Sequence, residues 1–219
     1  VNAAPLQSVV DVGDGLVGMT VLSEGLMEYE VIAAADDADV ARIALTVLRS
    51  VGWLSREDLA TRKGNAGPSL PTPGAQCLGE WDFRFAFVPR AAPPTESALC
   101  DLGRRFLAPP SVVVGTNGPA NDAPLPCRHS FLAVEGASDP GLALSALKKA
   151  DERDAVILRA FNPGAAPVQV TVTRDRPITA AFATNLREQA QQPMAVKEGR
   201  LATMVGPHKI VTLDLGGRD

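Results

Sequence analysis

Histidine and cysteine are scarce in this chain, and their scarcity narrows the chemistry that it can carry. The 219 residues include two histidines and three cysteines. Because the cysteines are odd in number, widely spaced and without a CxxC pair, they indicate neither a disulfide framework nor a zinc ribbon. The cysteines are Cys77, Cys100 and Cys127. We therefore predict no metal site within the chain, and a reducing, cytoplasmic setting.

Basic residues and aromatic rings are also few, which bears on the partners of the protein. Lysine and arginine together number 21 against 25 acidic residues, so that the formal net charge is −4. An acidic protein repels phosphates, and an aromatic content of 5% leaves few rings for base stacking. We expect no nucleic-acid partner.

Long apolar runs are missing as well. No stretch approaches the ~20 apolar residues that a membrane-spanning helix needs. The first residues lack the charged and apolar regions of a signal peptide. We expect no membrane partner. Because the chain begins at Val1 and runs almost at once into strand-like sequence, we also expect it to be a fragment of a longer protein, the alternative being removal of a tag or leader.

Glycine and proline, by contrast, are abundant. Their 19 and 18 copies separate many short runs in which apolar and polar residues alternate. This pattern is typical of short antiparallel strands and predicts an all-β protein with a β-sandwich architecture. A seam near residues 136–141 is the candidate domain boundary, and we divide the chain into β units at 1–138 and 139–219.

Three segments give more specific structural expectations. Residues 81–88 (WDFRFAFV) form the clearest strand, with four aromatic side chains at period two on one buried face. These side chains are Trp81, Phe83, Phe85 and Phe87. Residues 96–107 place apolar side chains at helical spacing and predict a short amphipathic helix. Residues 141–150 are helical by propensity but lie among strands, so both interpretations stay open.

A glycine motif near the start invites a nucleotide-binding interpretation. Gly13, Gly15 and Gly18 have the spacing of a dinucleotide fingerprint, and Asp36 and Asp37 follow about twenty residues later. The fingerprint works only where the last glycine opens a helix that faces the phosphates. The residues after Gly18 continue as a strand, so we interpret the motif as a glycine-rich β-turn.

Two acidic residues have a spacing that glycosidases also use. Glu28 and Glu30 lie two apart on a predicted strand, about 6.6–6.8 Å from each other on one face. This is close to the separation of paired catalytic carboxylates. Nothing nearby predicts a pocket that would raise a carboxyl pKa, so a structural, salt-bridging role is favoured.

The remaining candidates for nucleophilic catalysis are weaker. Cys127 and His129 are two apart, with Ser130 adjacent, but no glycine-rich elbow surrounds them. We expect no catalysis there. His208 precedes the last apolar strand and is interpreted as a residue that leads into it.

The most site-like feature is the long segment at residues 62–76 (RKGNAGPSLPTPGAQ). Its glycines and prolines predict an absence of regular structure, and loops of this length often contribute to a site. Arg62 offers a rigid fork of donors, and Asn65 offers both a donor and an acceptor. We take these two residues as substrate-binding candidates, the alternative being a solvated loop.

A series of short motifs resembles the region that follows the catalytic domain in glycoside hydrolase family 38, the α-mannosidases. The resemblance covers most of the chain in the same order. The motifs are GLMEYEV (25–31), LTVLRS (45–50), GWLSR (52–56), TRKGNAGP (61–68), TPGAQC (72–77), SFL (130–132), LSALK (144–148), ILRAFNP (157–163) and IVTL (210–213).

The resemblance implies a supersandwich-like, galactose-mutarotase-like β-sandwich, partial in this chain, followed by a smaller terminal β-sandwich unit. Residues 141–150 would then be a strand. The zinc ion and the aspartate nucleophile of such enzymes belong to an N-terminal catalytic domain, which becomes the expected partner here together with a mannose-containing carbohydrate. Arg62 best matches a loop arginine that reaches the sugar in the family.

The resemblance therefore predicts a scaffold that forms one wall of the active site of a retaining α-mannosidase, without catalytic residues, cofactor or activity of its own. The alternative is a stand-alone carbohydrate-binding or structural interaction module. Binding platforms of that kind display exposed aromatic rings, for which Trp53, Trp81 and Tyr29 are the available residues.

Overall fold

The computed structural model describes residues 3–33, 40–114, 126, 128–136 and 141–217. Within these residues the chain consists mainly of antiparallel strands, and it divides into two compact units, Val1–Ala92 and Pro93–Asp219. The predicted all-β class is confirmed. The predicted boundary between residues 138 and 139 lies outside the described residues and stays a prediction.

The first unit contains two small sheets. Its strands are β1 (Ala4–Pro5), β2 (Val9–Gly13), β3 (Gly18–Glu24), β4 (Glu28–Ala33), β5 (Ala41–Leu45) and β6 (Arg84–Arg90). They form two three-stranded antiparallel sheets, in the orders β1-β4-β5 and β2-β3-β6. Apolar side chains from both sheets share one core around Leu6, Val10, Val21 and Leu26. Within β2 and β3, the alternation of side chains places Val10, Val12, Met19 and Val21 on the core side, while Leu6 and Leu26 join the core from outside the strands.

The second unit begins with α1 (Glu96–Leu107) and continues as a larger sandwich. Its strands are β7 (Leu132–Glu135), β8 (Ala143–Lys149), β9 (Val156–Phe161), β10 (Val168–Arg174), β11 (Ala181–Thr184), β12 (Ala190–Met194), β13 (Val196–Lys197), β14 (Arg200–Val205) and β15 (Ile210–Asp214). They form a four-stranded sheet, β13-β14-β10-β7, and a five-stranded sheet, β12-β11-β15-β9-β8. Leu158, Val172, Leu201 and Leu213 lie in the core of this unit.

The structure decides two predictions in the second unit, the helix at residues 96–107 and the undecided segment at residues 141–150. The predicted helix at residues 96–107 is confirmed, and the Thr95 hydroxyl caps it by accepting a hydrogen bond from the Ala98 amide at 3.3 Å. The segment at 141–150 forms strand β8, as the family resemblance implies. Its pairing with β9 overrides the helical propensity of its leucines and alanines.

The aromatic strand of the first unit differs from its prediction. Strand β6 begins only at Arg84, and Phe85 and Phe87 share a face as predicted, with ring centroids 5.5 Å apart. The prediction that this face is buried is wrong, because Phe87 is 58% exposed and Trp81 is 55% exposed. Phe87 lies on an edge strand, where cross-strand neighbours cover a side chain on one side only, whereas its partner Val21 on the central strand β3 is buried. Trp81 lies before the strand begins.

The glycine motif has a packing role. Gly13 and Gly18 face each other where β2 and β3 join, which confirms the β-turn interpretation. The Arg90 guanidinium lies against both: a Cβ on either glycine would come within 2.5 Å of its Nη2 atom. Asp36 and Asp37, which would complete a nucleotide site, lie outside the described residues.

A mostly buried ion pair fixes that guanidinium in place. Arg90 donates to both carboxylate oxygens of Asp11, at 2.7 and 2.5 Å, and the Thr20 hydroxyl donates to the same carboxylate at 2.6 Å. The hydrogen bonds from Arg90, with a smaller effect of Thr20, hold the pKa of Asp11 below its ordinary value, although burial acts in the opposite direction. The pair joins β2 to β6 across β3.

A second polar network joins two turns of the second unit. The buried Glu188 carboxylate accepts from the Lys148 ammonium at 2.6 Å and from the Asp151 amide at 2.9 Å. These hydrogen bonds, the one from Lys148 first, lower the pKa of Glu188. Arg153 donates to the Asp214 carboxylate at 2.6 Å and to the Glu188 carbonyl at 2.8 Å. The turn between β8 and β9 is thereby tied to the turn between β11 and β12.

The buried pair predicts a large effect of removing one partner. We expect Asp11→Ala to lower the free energy of unfolding by roughly 3 kcal/mol, because the Arg90 charge would remain mostly buried without its partner. Urea denaturation measures the loss. Lys149→Ala is the control, since its ammonium lies 3.7 Å from the exposed Asp154 carboxylate and should contribute under about 1 kcal/mol. Equal losses in the two variants would contradict this account.

The lowered carboxyl pKa values predict loss of stability in acid. A carboxyl whose pKa is lower in the folded than in the unfolded state stabilises the fold above its unfolded pKa. That contribution disappears as the pH falls through the folded pKa. We therefore expect the free energy of unfolding to be nearly constant above about pH 5 and to fall steadily below about pH 4. Urea denaturation across this range should show a shallower acid slope for Glu188→Gln, and an unchanged slope would argue against Glu188 as a contributor.

Candidate functional site

The candidate site lies on a long excursion between β5 and β6, residues 46–83, which we call the arm. Two limbs of the arm run antiparallel and are joined through their backbones. The Leu54 amide donates to the Leu70 carbonyl at 2.8 Å, and the Thr72 amide donates to the Gly52 carbonyl at 2.9 Å. An isolated bridge pairs Trp53 with Pro71 between these bonds. The arm is thus an ordered hairpin-like structure rather than an open loop.

Side chains of the returning limb strengthen this pairing. The Thr72 hydroxyl and the Gln76 amide both donate to the Val51 carbonyl, at 2.9 and 2.6 Å. A 3-10 helix covers Pro73–Gln76. The prediction that residues 62–76 lack regular structure is therefore wrong for the last four of them. A proline fits the first helical position because its missing N–H has no helical partner there.

Arg62 and Asn65, the two predicted binding residues, lie at the tip between the limbs. Both are exposed. Among the described residues the Arg62 guanidinium has no hydrogen-bond or ion-pair partner, whereas Arg56 on the same arm is paired with Asp58. The Asn65 side-chain oxygen accepts a long hydrogen bond, 3.4 Å, from the Ser69 hydroxyl. The structure therefore brings both residues to one exposed tip but does not join their side chains.

The turn at the tip is attached to the outgoing limb of the arm by a buried hydroxyl. Ser55 is buried, and its Oγ accepts a hydrogen bond from the Ala66 amide at 3.1 Å. This bond closes the turn that carries Arg62 and Asn65. The donors of Arg62 are consequently presented on a closed turn, a geometry that suits recognition of hydroxyl or carboxylate oxygens.

The arm also exposes an unusual number of large apolar side chains, a feature that the sequence interpretation missed. Both tryptophans of the chain are among them. The exposed set on the arm is Val47, Leu48, Val51, Trp53, Leu54, Leu59, Leu70, Leu78, Trp81 and Phe83. Apolar surface of this extent is typical of an interaction surface. The signal in the sequence is the recurrence of leucine, valine and tryptophan within a stretch otherwise rich in glycine and proline.

Of the two carboxylates singled out in the sequence, Glu28 and Glu30, Glu28 is held by two neighbouring side chains. Glu28 accepts from the Thr46 hydroxyl at 2.8 Å and from Arg49 Nη2 at 2.7 and 2.9 Å, so the predicted salt-bridging role is confirmed for this residue. The hydrogen bond from Thr46, followed by that from Arg49, lowers the pKa of Glu28. A general acid needs the opposite shift. Glu28 is therefore an ionised, pre-positioned carboxylate and not a proton donor.

The other nucleophile candidates are not assembled into a catalytic arrangement among the described residues. The Ser130 hydroxyl donates to the Leu132 carbonyl at 2.7 Å, and the His129 ring contacts the Phe131 ring. Cys127 lies outside the described residues. His208 occupies the turn before β15, where its amide donates to the Gly164 carbonyl at 3.3 Å, in line with its predicted place ahead of the last strand.

Two further properties of the described residues concern metals and membranes. No group of three or more histidine, cysteine, aspartate or glutamate side chains there could hold a metal ion. In the same part of the chain, no helix combines the length and the apolar character that crossing a membrane demands.

Comparison with known proteins links this architecture to one family. Residues 141–213, which run from β8 into β15, match the family described as glycosyl hydrolases family 38 C-terminal beta sandwich domain. The chain is 27% identical over 208 residues to the "putative mannosylglycerate hydrolase" of Halalkalibacterium halodurans. That alignment covers 95% of this chain and 20% of the relative.

Solved structures extend the likeness to nearly the whole chain. An α-mannosidase from Enterococcus faecalis V583 superposes with a TM-score of 0.68 and 25% identity, over 97% of this chain and 21% of that one. A family 38 glycosyl hydrolase from Enterococcus faecalis shares the fold, with a TM-score of 0.68 and 24% identity over 97% of this chain and 22% of its own. The chain thus spans about a fifth of the length of the relatives that it matches. The resemblance predicted from the sequence is confirmed: residues 141–213 match the C-terminal β-sandwich domain of glycoside hydrolase family 38, and the rest of the chain is similar to the same relatives.

Proposed function

We propose that this chain is the C-terminal β-sandwich portion of an enzyme that hydrolyses α-mannosides, and that its arm forms one wall of the active site of the intact enzyme. The observation that carries the proposal is the alignment with the Enterococcus faecalis α-mannosidase: nearly the whole of this chain, 97%, corresponds to 21% of that protein. The reacting groups would then be supplied by the catalytic domain of the same protein, which is the partner that we propose for the arm.

The reaction of the intact enzyme would follow the retaining mechanism. A carboxylate attacks the anomeric carbon, a glycosyl-enzyme intermediate forms, and water then releases the sugar. The zinc ion that the family resemblance implies would be held by the catalytic domain. This chain contributes binding and orientation only, and we expect it to be inactive by itself.

Arg62 would take the substrate-facing role. Its guanidinium is exposed, carries no partner among the described residues and lies on a turn closed by the Ser55–Ala66 hydrogen bond. Donors fixed in this way can bind vicinal hydroxyls of a sugar and hold the ring in the orientation required for attack. Asn65, on the same turn, would add a neutral hydrogen bond.

The exposed apolar side chains of the arm support contact with a partner domain. Leu54 and Trp53 lie on the outgoing limb, while Leu70 lies opposite them on the returning limb. Covering such side chains removes apolar surface from water, which stabilises association by about 25 cal/mol per Å². The arm would therefore be held against the catalytic domain by its apolar limbs, and Arg62 would extend beyond them.

A kinetic experiment tests the role of Arg62. In the full-length enzyme, we expect Arg62→Ala to lower kcat/KM for an aryl α-mannoside by roughly 10- to 100-fold, the usual contribution of a hydrogen bond from a charged group. Asn65→Ala should have a smaller effect, about 3- to 10-fold. Arg56→Ala is the matched control, because Arg56 belongs to the same arm but is already paired with Asp58. Kinetics unchanged by Arg62→Ala would remove this residue from the site.

A stability comparison tests the contact of the arm. Leu54 is 61% exposed in this chain, and Leu186 of the second unit is 62% exposed. In the isolated chain, we expect Leu54→Ser and Leu186→Ser each to change the free energy of unfolding by less than about 0.5 kcal/mol. In the full-length enzyme, Leu54→Ser should lower the Tm measurably, because a leucine buried against the catalytic domain would lose its apolar contacts, while Leu186→Ser should not. Equal behaviour of the two variants in the full-length enzyme would refute burial of the arm.

A further inference from the structure

The first unit has a concave surface apart from the tip of the arm. We call this surface the β3–β4 groove. Its volume is about 530 Å³. Three segments line it: the turn between β3 and β4 (residues 24–28), the base of the arm (residues 46–49) and the approach to β6 (residues 82–83). Arg62 and Asn65 do not belong to this lining. The volume lies in the range of pockets that hold small ligands.

The two glutamates of this groove are held in place by neighbouring side chains. Glu28 is held by the Thr46 hydroxyl and by Arg49, and Glu24 is held by Arg84 Nη1 at 2.8 Å. Arg49 uses only its Nη2 atom for Glu28. Among the described residues its other guanidinium donors have no partner. The groove therefore offers a positioned guanidinium edge, which costs little ordering on binding.

The approach to β6 adds an acceptor and an apolar platform. The Asp82 carboxylate is exposed and, within the described part of the chain, makes no hydrogen bond or ion pair. Its neighbour Phe83 is 39% exposed, so that a substantial part of its ring is accessible. The side chains of Met27 and Leu48, both exposed, extend the apolar part of the lining.

These features select among ligand classes. Glu24 and Glu28 are each compensated by an arginine, so the groove is not simply an acidic patch. A cationic ligand would meet Arg49, and an anionic ligand would meet Asp82 and Glu28. A neutral ring with several hydroxyls can accept hydrogen bonds from Arg49 and donate hydrogen bonds to Asp82. Its apolar C–H face can lie on Phe83, as sugar rings lie on aromatic side chains.

We propose that the β3–β4 groove is a saccharide-binding site that holds a neutral pyranose between Arg49 and Asp82, with its apolar face on Phe83. The choice of a mannoside as ligand rests on the proposed function. The site is separate from the arm tip and holds sugar in the chain by itself, with no contribution from the catalytic domain. Its role is to retain a saccharide on the sandwich while the active site acts.

A titration of this chain with methyl α-D-mannopyranoside tests the groove. We expect weak binding, in the millimolar range, with amide chemical-shift changes in ¹H–¹⁵N spectra confined to residues 24–28, 46–49 and 82–83. Asp82→Ala and Phe83→Ser should each weaken binding by about tenfold. Both side chains are exposed, so their replacement should leave the fold intact, which far-UV circular dichroism checks.

Matched controls come from the second unit. Asp175→Ala and Phe131→Ser replace an exposed carboxylate and an exposed ring outside the groove, and both should bind the mannoside like the unaltered chain. The proposal is overturned if the mannoside produces no shift changes, if the changes lie elsewhere, or if the Asp82 and Phe83 variants bind like the controls. The kinetics of Arg62→Ala in the full-length enzyme are independent of this result, so either proposal can fail while the other stands.

Discussion

The backbone hydrogen bonds between the two limbs of the arm are the constraint on which the functional interpretation of this chain depends. A long segment with five glycines has a large conformational entropy to lose, and its large apolar side chains are mostly exposed and form no core. Pairing of Leu54 with Leu70 and of Gly52 with Thr72 satisfies its polar groups and keeps the limbs together. Arg62 stays exposed because this pairing leaves it at the tip.

Two ion pairs of the first unit, Arg90–Asp11 and Arg49–Glu28, differ in burial and in what they do. The Arg90–Asp11 pair is mostly buried and fills the space over Gly13 and Gly18, so it acts as part of the packing. The Arg49–Glu28 pair is more exposed and leaves guanidinium donors without partners among the described residues. The first arrangement positions strands, whereas the second presents groups to a ligand. Both depend on strands β2 to β6 bringing together residues that are distant in sequence.

Several elements could be predicted because local pattern and tertiary structure agree. The helix at 96–107 has a cap, Thr95, and an apolar stripe, and it forms as predicted. The motif Gly13-x-Gly15-x-x-Gly18 is not followed by a helix pattern, and the structure places it in a β-hairpin. For residues 141–150 the propensity indicated a helix, while the order of motifs along the chain indicated the family strand. The strand is observed because β9 supplies the hydrogen-bond partners that a short isolated helix lacks.

The amino-acid sequence by itself determined the all-β class, the period-two alternation of Phe85 and Phe87, the family resemblance and the choice of Arg62 and Asn65 as candidates. It could not determine which faces are covered, because burial depends on which elements pack over a sheet and on whether a strand lies at its edge. The exposure of the β6 aromatics, the pairing of the arm limbs and the convergence of Arg49, Asp82 and Phe83 on one groove were decided only by the tertiary structure. Contacts between residues dozens of positions apart depend on strand order, which the local spacing of residue types does not show.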